Sequence, residues 1–393
     1  MRYLIWCEVN RAWEEVCLVW LYSLCRELCF CEHDVKVVIF YDVGKTTADN
    51  DDSDTTSFSN RVRQIGMRFN VEVEVELFDS REFTSDLPDN FCEGRCIDRH
   101  SVAIAVSRVM NYNKLLEDNL TSSIQPMMLS AESSHNVINS NLRICNPNTL
   151  DNTDNPLDNG IGYGTVYIHC DIDGIFLEDS NLELLFDGID SVISDNDSSS
   201  LLIGVNEYDD ISNALAKTHS EEFMTRLQGV YLNCGFICFY NVPTFDLADL
   251  KEFLSTDDSY CLEQDYLNLL GCDNTNDPSL TRICLQPQYN YTYRKMLMET
   301  KLDTQTEPQS QSSTSPFTLP FTLPVFVHYY GSDKPFLPNP KSTNGIDSDV
   351  TPAIAHYYFP EYGQLVFKIR CLLSVDFVNL VRKRCVEEYW SER

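Results

Sequence analysis

The chain has 393 residues, enough for one large domain or two, and its 60 acidic against 29 basic residues leave a net charge of −31. Charge of that sign excludes a nucleic-acid backbone as the main partner, because phosphate binding needs a basic face; a nucleotide held through a metal stays open. The 16 cysteines form no Cys-x-x-Cys pair, and several (Cys17, Cys25, Cys170, Cys234, Cys238) sit inside apolar stretches, as core thiols do in a reducing compartment.

The start reads as no signal peptide, since Glu8, Asn10, Arg11, Glu14 and Glu15 interrupt its apolar run. The longest apolar stretch, residues 16–25, is too short to span a bilayer, so the expected setting is soluble and cytoplasmic. Residues 2–7 predict a first strand, 12–28 a helix, 35–41 a second strand, 45–60 a polar loop, 60–69 a helix and 71–77 a third strand. That alternation predicts a mainly parallel α/β sheet with a Rossmann-like start, although no Gly-x-Gly-x-x-Gly follows the first strand.

Residues 98–113 predict a helix carrying Arg108. Residues 115–164 are rich in Asn, Ser and Asp and read as an insertion. Cys92, Cys96 and His100 have a spacing that suits a metal on a helix, but a fourth ligand is missing from the pattern. Residues 166–170 form a short apolar strand that ends in Asp171 and Asp173, followed by Gly174. Other Asp-x-Asp pairs lie in polar stretches; this one closes an apolar strand, where ligands of open α/β sheets collect.

A helical turn over 182–186, a strand over 201–205, an apolar run over 230–240 and helices over 245–254 and 259–270 follow. Residues 300–320 read as a polar loop, 325–329 as a last strand, and 365–390 as a helical tail after a further polar stretch.

Four stretches in this order resemble glycosyltransferase family 8, retaining enzymes of the GT-A fold that include lipopolysaccharide galactosyl- and glucosyltransferases. Asp171-x-Asp173 is similar to the family's metal motif, Asn233-Cys-Gly235 to its Asn-Ala-Gly, and Glu263-Gln264-Asp265 with Asn268 to its Asp-Gln-Asp helix. His328-x-x-Gly331-x-x-Lys334-Pro335 matches its closing motif, with Phe336 in place of Trp. The resemblance implies a GT-A domain over residues 1–340, with insertions at about 114–164 and 300–320, and a C-terminal helical tail over 341–393.

It implies further that Asp171, Asp173 and His328 ligate Mn2+ (or Mg2+) and that Gly331 and Lys334 approach the diphosphate of a UDP-sugar. Arg108, Glu8 and Asn10 stand where the family contacts donor sugar, uracil and ribose, with Arg11 in place of the usual aromatic residue. Asn233 and Gln264 fall near the transferred hexose. Gln264 is a poor nucleophile, which favours same-face attack by a saccharide or glycolipid acceptor. Binding without catalysis, or glycosylation of a host protein by an exported effector, remain the competing readings. The tail mixes Lys368, Arg370, Arg382, Lys383 and Arg384 with apolar residues, which suits either packing on the main domain or peripheral contact with the membrane.

Overall fold

The apolar runs that are too short for helices pair side by side, and the longer periodic stretches cover them. The computed structural model describes residues 1–44, 52–84, 99–132, 164–178, 180–196, 200–208, 211–270, 280–292 and 325–329. Among them β1 (Arg2–Asn10) is followed by a 3-10 turn and α1 (Glu14–Leu28). Next come β2 (Asp34–Asp42), α2 (Asp52–Phe69), β3 (Glu72–Phe78), the short α3 (Arg81–Thr84) and α4 (Arg99–Glu132). The second half runs β4 (Thr165–Cys170), β5 (Gly174–Phe176), α5 (Leu182–Asp195), β6 (Ser200–Asn206), α6 (Ile211–Leu215) and α7 (Glu221–Leu227). It ends with β7 (Leu232–Tyr240), α8 (Leu247–Leu254), α9 (Glu263–Leu269), β8 (Leu280–Leu285), β9 (Tyr291–Thr292) and β10 (Phe326–His328).

Seven strands form one sheet in the order β3-β2-β1-β4-β7-β6-β8. Only β7 runs against its neighbours β4 and β6; the other pairings are parallel. This is the mainly parallel α/β sheet expected from the sequence. Strand β1 alternates between its two faces: Tyr3, Ile5, Cys7 and Val9 join the core under α1, α2 and α5, while Leu4 and Trp6 join the core under α4, α8 and α9. A strand buried on both faces has to be apolar at nearly every position, which β1 and β4 are. A second sheet of three short strands, β5-β10-β9, lies beyond β4.

Several expectations need correction. Residues 52–60, read as loop from their polarity, are the first half of α2. Phe58 is fully buried and lies 5.2 Å from the Tyr41 ring, and it leads an apolar stripe with Val62 and Ile65 at helical spacing. Helix α4 continues past Asn113 into the supposed insertion because Leu115 is still buried and Asn119 Nδ2 donates to the Tyr167 hydroxyl at 2.8 Å. The single turn expected at 182–186 is a 14-residue helix with Leu182, Leu185, Phe186, Ile189 and Ile193 inward. Helix α9 is shorter than expected, since Leu262 at φ 57 interrupts it on the N-terminal side. Strand β8 and helices α6 and α7 were not legible.

The tail, Gly331, Lys334, Cys92 and Cys96 lie outside the described residues. No helix among the described residues is long and apolar enough to cross a membrane. Replacing Phe58 by Ala should cost about 3–5 kcal/mol, a value typical of truncated core aromatics, read as a lower urea midpoint. A change below 1 kcal/mol would mean that α2 does not dock on β2.

Candidate functional site

The reversal of β7 assembles one end of the sheet. It brings the first residues of β7 to the carboxyl ends of β4 and β6, beside the carboxyl end of β1. Asp171 leaves β4 there, and its N–H donates to the Gly235 carbonyl at 2.8 Å. Gly174 then opens β5, which pairs antiparallel with β10 in the register His328↔Gly174. The Tyr329 N–H closes the turn on the Asp173 carbonyl at 2.9 Å.

That register carries the His328 ring to both carboxylates. Nε2 lies 3.0 Å from Asp173 Oδ1 and 3.4 Å from Asp171 Oδ2, with the His328 side chain only 4% exposed. Two glycines make room for it. A Cβ on Gly235 would run into the His328 ring, and one on Gly174 into the ring of Phe326. The three side chains can hold a metal ion between them. An octahedral ion with bonds of about 2.1 Å sets neighbouring ligand atoms about 3 Å apart, so this donor set fits a divalent cation.

Burial alone would raise the Asp171 carboxyl; Arg108 and His328 outweigh it and hold the group well below the usual carboxylate range. Burial likewise opposes a charged His328, but the carboxylates of Asp173 and Asp171 raise it to about 9. Arg108 reaches in from α4, donating from Nη2 to Asp171 Oδ1 at 2.7 Å and from Nη1 to Glu263 Oε1. Its guanidinium is thus buried between two carboxylates that come from β4 and α9.

A cleft of about 280 Å³ adjoins the Asp171–Asp173 turn, and Asn10, Trp13, Asp42, Phe78 and Arg108 line it. The structure brings Glu8, Asn10, Arg108, Asp171 and Asp173 to this cleft. Glu8, at the foot of it, is held by others: His169 Nε2 sits 2.8 Å from Oε2, and Asn111 and Trp6 donate to Oε1. Burial pushes the Glu8 carboxyl up, and His169, Arg108 and Asn111 together more than offset that, leaving it lowered. Asn10 caps the following turn, its Oδ1 accepting from the Ala12 N–H at 2.9 Å. Trp13 supplies an aromatic ring two residues beyond the position where the sequence has Arg11.

Asn233 and Gln264, expected near the transferred sugar, are not among the residues that line this cleft; both are held at the start of β7. Asn233 Oδ1 accepts from the Gly235 N–H and from Asn290 Nδ2, both at 2.8 Å. Gln264 Oε1 accepts from the Cys234 N–H at 2.9 Å while its Nε2 donates to Glu207 Oε2. Glu207 is a residue that sequence reasoning missed. Burial raises its carboxyl despite hydrogen bonds from Gln264, Tyr208 and Asn233. It stands two residues after the apolar run Leu201–Val205, beyond Asn206, much as Asp171 ends Val166–Cys170, so the strand-end carboxylate was the available signal. The pairing of Glu263 with Arg108 and of His169 with Glu8 had no such signal.

No protein-family model matches the sequence, and no curated protein does. Solved structures do. A galactosyltransferase LgtC bound to donor and acceptor sugar analogs aligns at 12% identity and TM-score 0.44, over 90% of this chain and 95% of that one. Glycosyltransferase GlyE of Streptococcus pneumoniae aligns at 12% identity and TM-score 0.41, over 92% of this chain and 64% of its own. The bifunctional glycosyltransferase WbbM aligns at 11% and 0.42, over 93% of this chain and 51% of its own.

Two outcomes are expected. A folded-state His328 raised from 6.5 to about 9 contributes stability that is complete below pH 6.5 and lost as the pH rises to about 9. Thermal melts of metal-free protein should therefore fall by several degrees across that window. Saturating Mn2+ should remove or reverse the trend, because the neutral ring is the ligand. A flat profile with chelator present would contradict the triad. Gly235→Ala should fold yet bind Mn2+ at least about tenfold more weakly by titration calorimetry, since its methyl displaces the imidazole; unchanged affinity would count against His328 as a ligand.

Proposed function

We propose that the chain is a metal-dependent, retaining glycosyltransferase of the GT-A type that moves a hexose from a UDP-sugar to a saccharide or lipid-linked saccharide. The observation that carries this is the meeting of Asp171, Asp173 and His328, which belong to motifs far apart in the chain, at contact distance around one point. Glu8, Asn10 and Trp13 form the nucleotide end of the cleft, with Trp13 and Phe78 as its apolar walls. Asp171, Asp173 and His328 would hold a Mn2+ or Mg2+ ion, and the chemistry it would supply is Lewis-acid neutralisation of the leaving diphosphate.

Arg108 adds positive charge beside the phosphates, and the resemblance assigns a like role to Lys334 and the Gly331 backbone. Gln264 is held through Cys234 and Glu207, and Asn233 through Gly235 and Asn290, so both amides are pre-set against the sugar. In the transfer, the bond between the anomeric carbon and the diphosphate oxygen breaks. The acceptor hydroxyl oxygen forms the new bond on the same face, and its proton goes to the departing phosphate oxygen.

A panel of UDP-hexoses with Mn2+ tests the reading. Wild-type protein should turn over at least one of them by hydrolysis or transfer, and Asp173→Ala should lower the rate at least about a hundredfold. Tight UDP binding without turnover on any acceptor would favour a binding protein instead. Neither binding nor turnover would overturn the assignment.

A further inference from the structure

At the opposite end of β1 from the cleft, a histidine stands among three carboxylates that the transfer reaction does not use. His33 lies in the connection from α1 to β2; Glu183 and Asp187 come from successive turns of α5, on one face at i, i+4 spacing. Glu183 Oε1 lies 3.3 Å and Asp187 Oδ1 3.6 Å from His33 Nε2. That nitrogen is buried, yet neither contact has the geometry of a hydrogen bond. We propose that His33, Glu183 and Asp187 form a second, structural divalent-cation site of the zinc class, with water completing the shell.

The spacing suits the ion. Tetrahedral zinc with bonds of about 2.0–2.2 Å sets its ligand atoms about 3.3–3.6 Å apart. All three ligand atoms fall within 4.8 Å of one another. The pocket is also pre-set. The Tyr3 and Phe186 rings grip the imidazole edge-on, each with its centroid 5.2 Å away. The second oxygen of Glu183 is fixed by the Glu32 backbone N–H at 3.1 Å, which leaves Oε1 turned to His33.

Behind the ring, the Asp190 carboxylate stands 4.0 Å from Nδ1 and accepts the Tyr3 hydroxyl hydrogen. Without a cation, Glu183 and Asp187 repel one another along α5, in a chain whose net charge is already −31. Asp187, with its side chain 62% exposed, offers the ion a way in. A bound ion would clip the α1–β2 connection to α5 and so brace the floor of the sheet. This proposal does not rest on the transferase reading.

The test compares zinc content and zinc-induced stabilisation in the full chain. Protein kept reduced is loaded with zinc, dialysed against a weak chelator and assayed for metal by emission spectrometry, beside thermal melts with and without zinc. Wild type should keep about one equivalent more than His33→Ala or Asp187→Asn, and its melting temperature should rise with zinc where theirs does not. Asp173→Ala should behave as wild type, which separates this site from the cleft. Zinc held at any of the 16 cysteines would be common to every variant, so only the difference counts. Should His33→Ala fail to fold, Asp187→Asn, altered at an exposed position, decides alone. Equal zinc content and equal shifts in wild type and Asp187→Asn would overturn the proposal and leave the cluster an ion-paired surface.

Discussion

The end of the sheet that carries the candidate site depends on one short pairing, β10 against β5. Three residues on each side bring His328, from late in the chain, opposite Gly174, and hence onto the two carboxylates of the turn before it. A shift of that register by one residue would turn the imidazole to the other face of the strand. The surroundings oppose such a slip: Val325, Phe326, Val327 and Tyr329 are all buried in the main core, and Gly174 and Gly235 leave space for one arrangement of the rings. Burial of apolar neighbours thus sets where a titratable side chain goes, and three charged groups of mixed sign accept the result because they satisfy one another.

Electrostatics then propagates outward from this point. Arg108 links Asp171 to Glu263, so α4, β4 and α9 are tied through one guanidinium. Glu207 and Gln264 tie β6 to α9, and Gln264 and Asn233 reach the backbone of β7. Buried polar groups of this kind are costly unless each finds a partner, and here they find one another across elements that would otherwise be joined by apolar contacts alone. This end of the sheet is therefore a frame of paired side chains rather than an open loop surface, as the proposed transfer, which needs its substrates held in one geometry, would require.

Much of this was legible in the sequence because strands buried on both faces advertise themselves: β1, β2, β4 and β7 are near-continuous apolar runs, and the polar residues that end them stand at the carboxyl edge of the sheet. The convergence of Asp171, Asp173 and His328 was implied by the family resemblance that the ordered motifs carry, not by any local spacing. Legibility failed where packing overrode local polarity. Residues 52–60 look like a solvated loop until Phe58 is set against Tyr41, and α4 and α5 outrun their apparent ends because a single stripe of buried side chains suffices to continue a helix. It failed again at the pairings of Glu263 with Arg108 and of His169 with Glu8, whose partners come from distant strands and helices and leave no local spacing to read.

The most direct test of the central claim is the pulsed electron paramagnetic resonance spectrum of Mn2+ bound to the protein with UDP. A ring nitrogen coordinated to manganese imprints nitrogen modulation on the echo decay. The wild-type complex should show that modulation, and His328→Gln should lose it while still binding UDP. An unmodulated wild-type echo, or the same modulation in His328→Gln, would mean that the imidazole and the two carboxylates do not share an ion.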